Sequence, residues 1–199
     1  MVSGQLYPIF DRMLSSLDFE QRLKQRAKVI WMTGLSGSGK STLAVALQKK
    51  LWDAGFVAQC LDGDNLRCGL CRDLTFSEED RLENIRRVAE LSKLFVQSGI
   101  ITINSFISPM RSMRQKAREI IGSARFLEVF IDASLEECEQ RDVKGLYQKA
   151  RAGEIARFTG IDAPYERPEQ AFMTVCTDKI EVQEAVDQLF YGILPQINL

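Results

Sequence analysis

The sequence predicts an α/β fold in which a parallel, doubly wound sheet carries helices on both faces. The first observation is alternation, because short apolar runs rich in β-formers alternate with segments of helical apolar spacing. The second is that a glycine-rich turn and an acidic turn directly follow two of the strands, where such sheets bind ligands. The length of 199 residues suits one domain of this kind.

Five strands and five main helices are predicted. The strands fall at 29–33, 57–61, 100–106, 126–132 and 173–177. One helix follows the glycine-rich turn and ends at Gly55, and another opens at Ser77 and closes at Gly99. The others cover about 110–121, the segment after Ser134, and 181 to about 194. Ser77 and Ser134 precede acidic residues at the spacing of capping boxes.

Residues 1–27 are predicted to form an N-terminal arm, and residues 28–199 the domain itself. Apolar side chains of the arm have the spacing of one face of a short helix. They are Ile9, Phe10, Met13, Leu14, Leu17 and Leu23. The arm is expected to pack on the domain or on a partner subunit.

Composition narrows the function classes. The net charge of −1 gives no basic field for nucleic acid, and no apolar run is long enough for a membrane span. The N-terminus lacks the pattern of a signal peptide, and five cysteines do not suggest a secreted disulfide scaffold, so a cytoplasmic protein is expected. The absence of histidine excludes imidazole catalysis, and acid–base work falls to Asp, Glu, Lys or water.

The glycine-rich turn is a phosphate-binding loop with the pattern G-x-x-x-x-G-K-[ST]. It consists of Gly34, Leu35, Ser36, Gly37, Ser38, Gly39, Lys40, Ser41 and Thr42. Its glycines let successive N–H groups face one anion, and the helix that follows adds its positive end. Lys40 suits the β- and γ-phosphates, and the Ser41 hydroxyl suits Mg²⁺. The loop predicts binding of a nucleoside triphosphate, with a Gly/Ser turn that happens to precede a lysine as the alternative.

Asp62 and Asp64 follow the second strand, whose end should lie beside the phosphate loop. Two carboxylates there are suited to ordering Mg²⁺ or to accepting a proton from an attacking hydroxyl. The sequence Asp-Gly-Asp-Asn is also good turn chemistry, so a simple Asx turn is equally consistent with the pattern.

Arg67, Arg81 and Asn84 are candidates for clamping a second anionic ligand. Arg81 and Asn84 are three residues apart and are expected to share a helix face opposite the apolar stripe. Arginine forks suit phosphate and sulfate, although a solvated face is the ordinary explanation for such charges. By pattern alone, Phe76 fits a hydrophobic staple before the helix.

Residues 141–168 are predicted to form a mobile lid of a P-loop kinase. This stretch is polar, basic and rich in glycine, and a long irregular segment in a compact domain usually serves function rather than plain surface connection. Its candidate cations are Arg141, Lys144, Lys149, Arg151 and Arg157.

The Cys68-x-x-Cys71 pair is interpreted as incidental. A zinc site would need further ligands, and the strand–helix context of a redox motif is absent. Cys60, Cys138 and Cys176 fall in apolar contexts and are expected in the core.

Together these motifs resemble the adenylylsulfate kinase family over about residues 28–168. The resemblance rests on the loop at 34–42, LDGDNLR at 61–67, FSEEDRLENIRR at 76–87 and SFISP at 105–109. It extends to CEQRD at 138–142, KGLYQKARAGEI at 144–155 and FTGID at 158–162. It implies that ATP phosphorylates the 3′-hydroxyl of adenylylsulfate, giving 3′-phosphoadenylylsulfate and ADP.

The resemblance also implies roles for individual residues. Phe76 and Phe158 match a pair that sandwiches the substrate adenine, and Arg141 matches a residue on the ATP adenine. The remaining matches on the substrate side are Arg67, Arg81, Asn84, Ile107, Ser108, Lys144 and Leu146. Asp62 and Asp64 match an acidic pair near Mg²⁺ and the acceptor hydroxyl, with Asp64 nearer the hydroxyl. Ser108 matches a serine described in the family as a phosphoserine intermediate, a step that direct in-line transfer does not need.

The same resemblance implies partners, and the sequence also departs from the family pattern. Family members usually form homodimers, and ATP sulfurylase is a functional partner that supplies adenylylsulfate. Cys68 stands where many members carry histidine, so local substrate contacts differ. The rival hypotheses are a small kinase for a nucleoside, shikimate or gluconate, and a nucleotide-dependent switch without transfer activity.

Overall fold

A five-stranded parallel sheet forms the centre of the computed structural model, which describes residues 7–199. The strand order is β2-β3-β1-β4-β5, so β1 lies in the middle, between β3 and β4. The strands are β1 (Val29–Thr33), β2 (Ala58–Asp62), β3 (Ile101–Ser105), β4 (Phe126–Asp132) and β5 (Met173–Cys176). The predicted strands are confirmed, with ends that move by one residue at most.

Eight α-helices connect or flank these strands in the described part of the chain. They are α1 (Ser16–Leu23), α2 (Lys40–Asp53), α3 (Gly63–Arg67), α4 (Glu78–Gln97), α5 (Arg111–Ile121), α6 (Leu135–Arg141), α7 (Leu146–Arg151) and α8 (Val182–Ile197). The expectation that residues 141–168 are irregular throughout is wrong, since α7 lies inside that segment. The acidic turn after β2 continues into α3, a short helix that Asp62 caps.

Two apolar cores lie on opposite faces of the sheet and confirm the doubly wound arrangement. On one face, α2 and α8 pack on side chains such as Ile30, Val129 and Ile131. On the other, α4 and α5 pack around Trp31, which is fully buried. Since side chains alternate along a strand, Ile30 and Trp31 of the central strand each anchor one core. The carboxyl end of β1 is thereby fixed, and the phosphate loop starts there.

The N-terminal arm does not form the single predicted helix face. Its described part has one 3₁₀ turn at Phe10–Arg12 and then α1, and Ile9, Met13, Leu14 and Leu17 are exposed. Residues 15–27 pack on the domain: the buried Glu20 carboxylate accepts hydrogen bonds from Ala27 N–H (2.9 Å) and Arg125 Nη1 (2.9 Å). Residues 1–6 of the predicted arm lie outside the described residues.

Within residues 7–199, every helix is too short or too polar to cross a bilayer.

Gln25 joins the arm to the sheet, and its loss should destabilise the fold. Its fully buried amide donates to Val57 O (2.9 Å) and Gly99 O (2.7 Å) and accepts from Val57 N–H (2.8 Å). Gln25→Ala leaves Val57 N–H and Gly99 O without partners, whereas Val57 O keeps the N–H of Ile101, so the free energy of unfolding in urea should fall by about 2–3 kcal/mol. Gln59→Ala is the control, because Gln59 is exposed and, within the described residues, its amide bonds only the adjacent Cys60 carbonyl. Equal effects of both substitutions would contradict the role of Gln25.

Candidate active site

The phosphate loop curls between the ends of β1 and α2. Gly34, Gly37 and Gly39 have φ of 153°, 76° and 93°, which disfavour residues with a side chain. A Cβ on Gly34 would lie 2.3 Å from Ile131 O, and one on Gly37 would lie 2.9 Å from Cys138 O. Backbone conformation therefore favours glycine at all three positions, and close approach to β4 and α6 requires it at Gly34 and Gly37.

Lys40 is the first residue of α2, and its ammonium lies inside the loop. Its Nζ donates to Leu35 O (2.6 Å) and Gly34 O (2.9 Å), and the residue is 8% exposed. Burial lowers its pKa to about 8, and the nearby Asp62 and Asp64 only partly oppose that shift. A bound polyanion would supply the negative charge that this ammonium lacks.

Ser41 and Asp62 meet at the mouth of the loop. The Ser41 hydroxyl donates to Asp62 Oδ2 (2.7 Å) and lies 3.2 Å from Ser105 Oγ. The other oxygen of Asp62, Oδ1, accepts from Asp64 N–H (3.0 Å) and so caps α3. The Asx-turn bond and the contact with the loop are thus made by the same carboxylate.

Asp64 faces the lid from the first turn of α3. Its Oδ2 is paired with the Nζ of Lys144, and both side chains are largely exposed. This ion pair links α3 to the segment between α6 and α7. Unlike Asp62, Asp64 makes no side-chain contact with the phosphate loop among the described hydrogen bonds.

Arginines surround Phe76 at the start of α4. The Arg67 guanidinium lies 4.2 Å from the centre of the Phe76 ring and donates to Thr75 O (3.0 Å). Arg81 donates to Phe76 O (2.9 Å) and reaches across to Arg157 O (2.8 Å) in the lid. Burial lowers the pKa of Arg81, and the charges of Arg67 and Arg157 lower it further. This excess of positive charge favours an anionic ligand.

Phe158 occupies the lid side of the same region. It is 8% exposed and packs edge-on against Tyr147, with ring centres 4.9 Å apart. The Asp162 carboxylate accepts from the N–H groups of Arg157 (2.7 Å) and Phe158 (2.5 Å), which fixes this turn of the lid. In contrast, Phe76 is 64% exposed.

Asn84 is part of the cavity wall. It is only 5% exposed, so the solvated face that was the alternative explanation for Arg81 and Asn84 does not hold for Asn84. Its Oδ1 has no hydrogen-bond partner among the described residues. A buried acceptor without a partner is uncommon and suits a donor supplied by a ligand.

Ile107 and Ser108 follow β3 and form part of the cavity wall. The Ser108 side chain points inward, since its Oγ accepts from the buried indole N–H of Trp31 at 3.1 Å. The residue is 3% exposed and has a left-handed φ of 37°. The Ser108 hydroxyl is therefore directed at the core and not into the cavity.

Arg141 lies at the end of α6 and lines the part of the cavity beside the phosphate loop. Its guanidinium donates to Thr177 O (2.7 Å) and Gly37 O (3.3 Å) and pairs with Glu137. Thr177 in turn donates to Ser38 O at 2.8 Å. This set connects the lid, the loop and the end of β5.

These groups surround one cavity of about 1300 Å³ at the carboxyl ends of the strands. All the predicted site residues line it except Gly34, Leu35 and Ser38. The lining members are Ser36, Gly37, Gly39, Lys40, Ser41, Thr42, Asp62, Asp64, Arg67, Phe76, Arg81, Asn84, Ile107, Ser108, Arg141, Lys144, Leu146 and Phe158. Of the other lid cations, Arg157 lines the cavity, whereas Lys149 and Arg151 do not.

Sequence reasoning missed Tyr147 and Thr177 as parts of this site. The Tyr147 hydroxyl donates to Ser36 O at 2.9 Å, and Thr177 contacts both Arg141 and Ser38. The only available signal for Thr177 was its position at the end of the last strand.

The two cysteines of the Cys68-x-x-Cys71 pair lie in different environments. Cys68 is exposed and Cys71 is buried.

A phosphate loop between a central parallel strand and a helix, opening into a polar cavity at the carboxyl ends of the strands, defines the class of P-loop kinases. The model of the family "Adenylylsulphate kinase" matches residues 26–176. The chain belongs to this family.

Individual relatives agree with that assignment. The adenylyl-sulfate kinase of Bacteroides thetaiotaomicron is 56% identical over 195 residues, covering 98% of this chain and 97% of its own. That of Bacteroides fragilis is 53% identical over 196 residues, with the same coverage. The Mycobacterium tuberculosis APS kinase CysC, solved in complex with AMPPNP and APS, is 45% identical with a TM-score of 0.82. That match covers 85% of this chain and 98% of the mycobacterial one.

Nucleotide affinity should depend on pH through Lys40. Its pKa of about 8 in the free protein means that, above that pH, binding a triphosphate requires proton uptake. The affinity for ATP should therefore be flat below pH 8 and fall by up to about tenfold per pH unit above it. Calorimetric titration from pH 7 to 9.5 measures this slope. Lys40→Arg, which does not titrate in this range, should flatten it, and an equally steep slope in that variant would assign the proton elsewhere.

Proposed function

We propose that this chain transfers the γ-phosphoryl group of ATP to the 3′-hydroxyl of adenylylsulfate, giving 3′-phosphoadenylylsulfate and ADP, in sulfate activation. The observation that carries the proposal is the shared cavity, in which a phosphate loop faces a pocket of arginines and aromatic rings. Its volume of about 1300 Å³ exceeds the usual single-ligand pocket and is adequate for two nucleotides. Membership of the family supports the same reaction.

On the ATP side, the loop amides and Lys40 hold the triphosphate, and Arg141 lies against the adenine. The proposal is supported by the left-handed glycines, which turn N–H groups inward, and by the buried ammonium. Arg141 is held in place by Thr177 and Gly37, so it does not need to be ordered by the ligand.

Mg²⁺ is proposed beside Ser41 and Asp62. The hydroxyl and the carboxylate are hard oxygen donors in direct contact, which fits the few protein ligands that Mg²⁺ takes beside phosphates and water. When bound, the ion would neutralise charge on the transferring phosphoryl group. Asp62 also holds the start of α3, so the same side chain would orient Asp64.

On the acceptor side, Phe76 and Phe158 are proposed to enclose the adenine of adenylylsulfate. Arg67 and Arg81 would bind its anionic groups, and the unpartnered Oδ1 of Asn84 would accept a hydrogen bond. Ile107, Ser108 and Leu146 would complete the wall. Since Arg67 already covers one face of Phe76, the exposed face is the one proposed to stack on the base.

Asp64 is proposed to accept the proton of the 3′-hydroxyl. Both oxygens of Asp62 are occupied by Ser41 and by the backbone of α3, whereas the side chain of Asp64 pairs with the exposed Lys144. Lys144 would leave this ion pair to face the charge that develops on the transferred group. Losing one such preorganised charge typically costs about 3 kcal/mol in the barrier.

A phosphoserine step at Ser108 is not part of the proposal. Its hydroxyl is buried against Trp31, which does not suit a nucleophile that must reach the γ-phosphate. Direct in-line transfer needs no covalent intermediate. Ser108 is therefore proposed to act through its backbone.

A cytoplasmic homodimer is proposed as the working form, with ATP sulfurylase as the functional partner that supplies adenylylsulfate. Exposed apolar side chains of the arm support association, and they include Tyr7, Ile9, Met13, Leu14 and Leu17. The five cysteines are free, which suits a reducing compartment.

A coupled ADP assay tests the transfer reaction. ADP release should require adenylylsulfate, and nucleoside, shikimate or gluconate should not replace it. Lys40→Ala should abolish turnover, while Lys49→Ala, an exposed lysine of the same helix, should leave it unchanged. Nucleotide binding without adenylylsulfate-dependent ADP release would instead favour a switch or binding module.

Phe76→Ala tests the acceptor pocket separately. Because stacking of a base on an aromatic ring contributes roughly 1–3 kcal/mol, the KM for adenylylsulfate should rise about 5- to 100-fold. The KM for ATP should change little. Phe172→Ala is the control, since Phe172 is also exposed but lies outside the cavity lining. Unchanged adenylylsulfate kinetics in Phe76→Ala would refute the stacking role.

A further inference from the structure

We infer that Arg114 is a positioning residue for the acceptor side of the site, because its guanidinium fastens the acceptor loop and the lid to each other. The acceptor loop is defined here as residues 107–109, which follow β3. The inference rests on the proposed function and adds a residue that touches neither substrate. Arg114 is 2% exposed and lies on α5, behind the cavity wall.

Arg114 makes four hydrogen bonds from one buried guanidinium. Its Nη1 donates to Ser108 O (2.7 Å) and Pro109 O (3.1 Å), and its Nη2 donates to Glu166 O (2.7 Å). Its Nε donates to Glu128 Oε1 at 2.6 Å, which holds the charge in place. The rigid planar fork of an arginine holds several carbonyls in fixed directions, whereas the three N–H donors of a lysine share one nitrogen and rotate freely.

These contacts turn the carbonyls of the acceptor loop away from the cavity. The carbonyl oxygen of Ile107 likewise points away from the cavity, and it accepts a hydrogen bond from Thr33 Oγ1 at 2.7 Å. All peptide bonds in the described residues are trans, so the N–H of Ser108 points opposite to Ile107 O, toward the cavity. No acceptor within residues 7–199 takes that N–H. The loop therefore offers a free donor to an anionic substrate.

The conformation of Ser108 depends on its surroundings. Its φ of 37° is unfavourable for a residue with a side chain, and such backbone persists only when neighbouring contacts hold it. Trp31 holds the side chain and Arg114 holds the carbonyl. Without the guanidinium, we expect the loop to relax and the Ser108 N–H to turn away.

The same guanidinium fixes the end of the lid. Glu166 N–H donates to Pro109 O at 2.9 Å, while Glu166 O accepts from Arg114. Next to it, the Tyr165 hydroxyl lies 2.9 Å from Thr33 Oγ1, directly before the phosphate loop. The acceptor loop and the lid end therefore share both Arg114 and Thr33, so displacement of one displaces the other.

Arg118 provides a matched control on the same helix. It pairs with the other oxygen of Glu128, at 3.2 Å, but contacts no carbonyl of the acceptor loop or the lid. If Arg114 served only to neutralise Glu128, replacing either arginine would have similar consequences. If it positions the loop, only Arg114 should affect the acceptor.

The test compares Arg114→Lys with Arg118→Lys in steady-state kinetics with both substrates varied. Arg114→Lys should raise the KM for adenylylsulfate by about tenfold, as expected for one or two lost hydrogen bonds, and leave the KM for ATP within about twofold. It should also speed amide hydrogen exchange at Glu166, whose N–H bonds Pro109. Arg118→Lys should leave all three readouts near wild type. Equal effects of the two variants, or an equal rise in both KM values, would overturn the inference.

If Arg114→Lys does not fold, Tyr165→Phe provides a second test of the coupling between the lid and the acceptor loop. Removing this one hydroxyl should raise the KM for adenylylsulfate about threefold with unchanged ATP kinetics, and Tyr191→Phe, an exposed tyrosine outside the cavity lining, should change neither. Unchanged kinetics in Tyr165→Phe would count against the coupling of lid and loop.

Failure of the proposed function and failure of this inference give different results. A wild-type chain without adenylylsulfate-dependent ADP release would overturn the proposed function itself. An active wild type whose variants keep wild-type kinetics would overturn only the role of Arg114.

Discussion

The close approach of the phosphate loop to β4 and α6 is the constraint on which the site depends. Gly34 leaves no room for a Cβ against Ile131, and Gly37 leaves little against Cys138. The loop therefore follows the sheet directly instead of extending into solvent. Because α6 leads into Arg141 and the lid, the same contact places the lid over the loop. The position of the anion site and that of the lid are thus linked by one packing arrangement.

Most of the fold was predictable because its signals are local. The five strands are short apolar runs, and Ser77 and Ser134 each accept the expected backbone N–H at a helix start. The helices that escaped prediction, α3 and α7, have five and six residues, too few for a helical repeat to be recognised. Gly145 begins α7 without a side-chain cap, so even the usual start signal was missing.

The site was predictable where its residues form contiguous motifs and not where they meet across the fold. The phosphate loop, the acidic pair and the arginines near Phe76 were all identified from the chain, and the cavity gathers them. Arg114 was not, since an arginine in a basic helix resembles solvated surface, and its partner Glu128 lies on a strand. The burial of Asn84 was not predictable, because helical spacing gives a relative face but not what packs over it.

Asp62 ties three parts of the molecule together through a single carboxylate. One oxygen holds the loop serine, the other starts α3, and α3 carries both Asp64 and Arg67 toward the cavity. A change at this position would disturb the donor half and the acceptor half of the site at once. Neither evolution by single substitutions nor protein engineering can therefore alter one half of the site through Asp62 while leaving the other half intact.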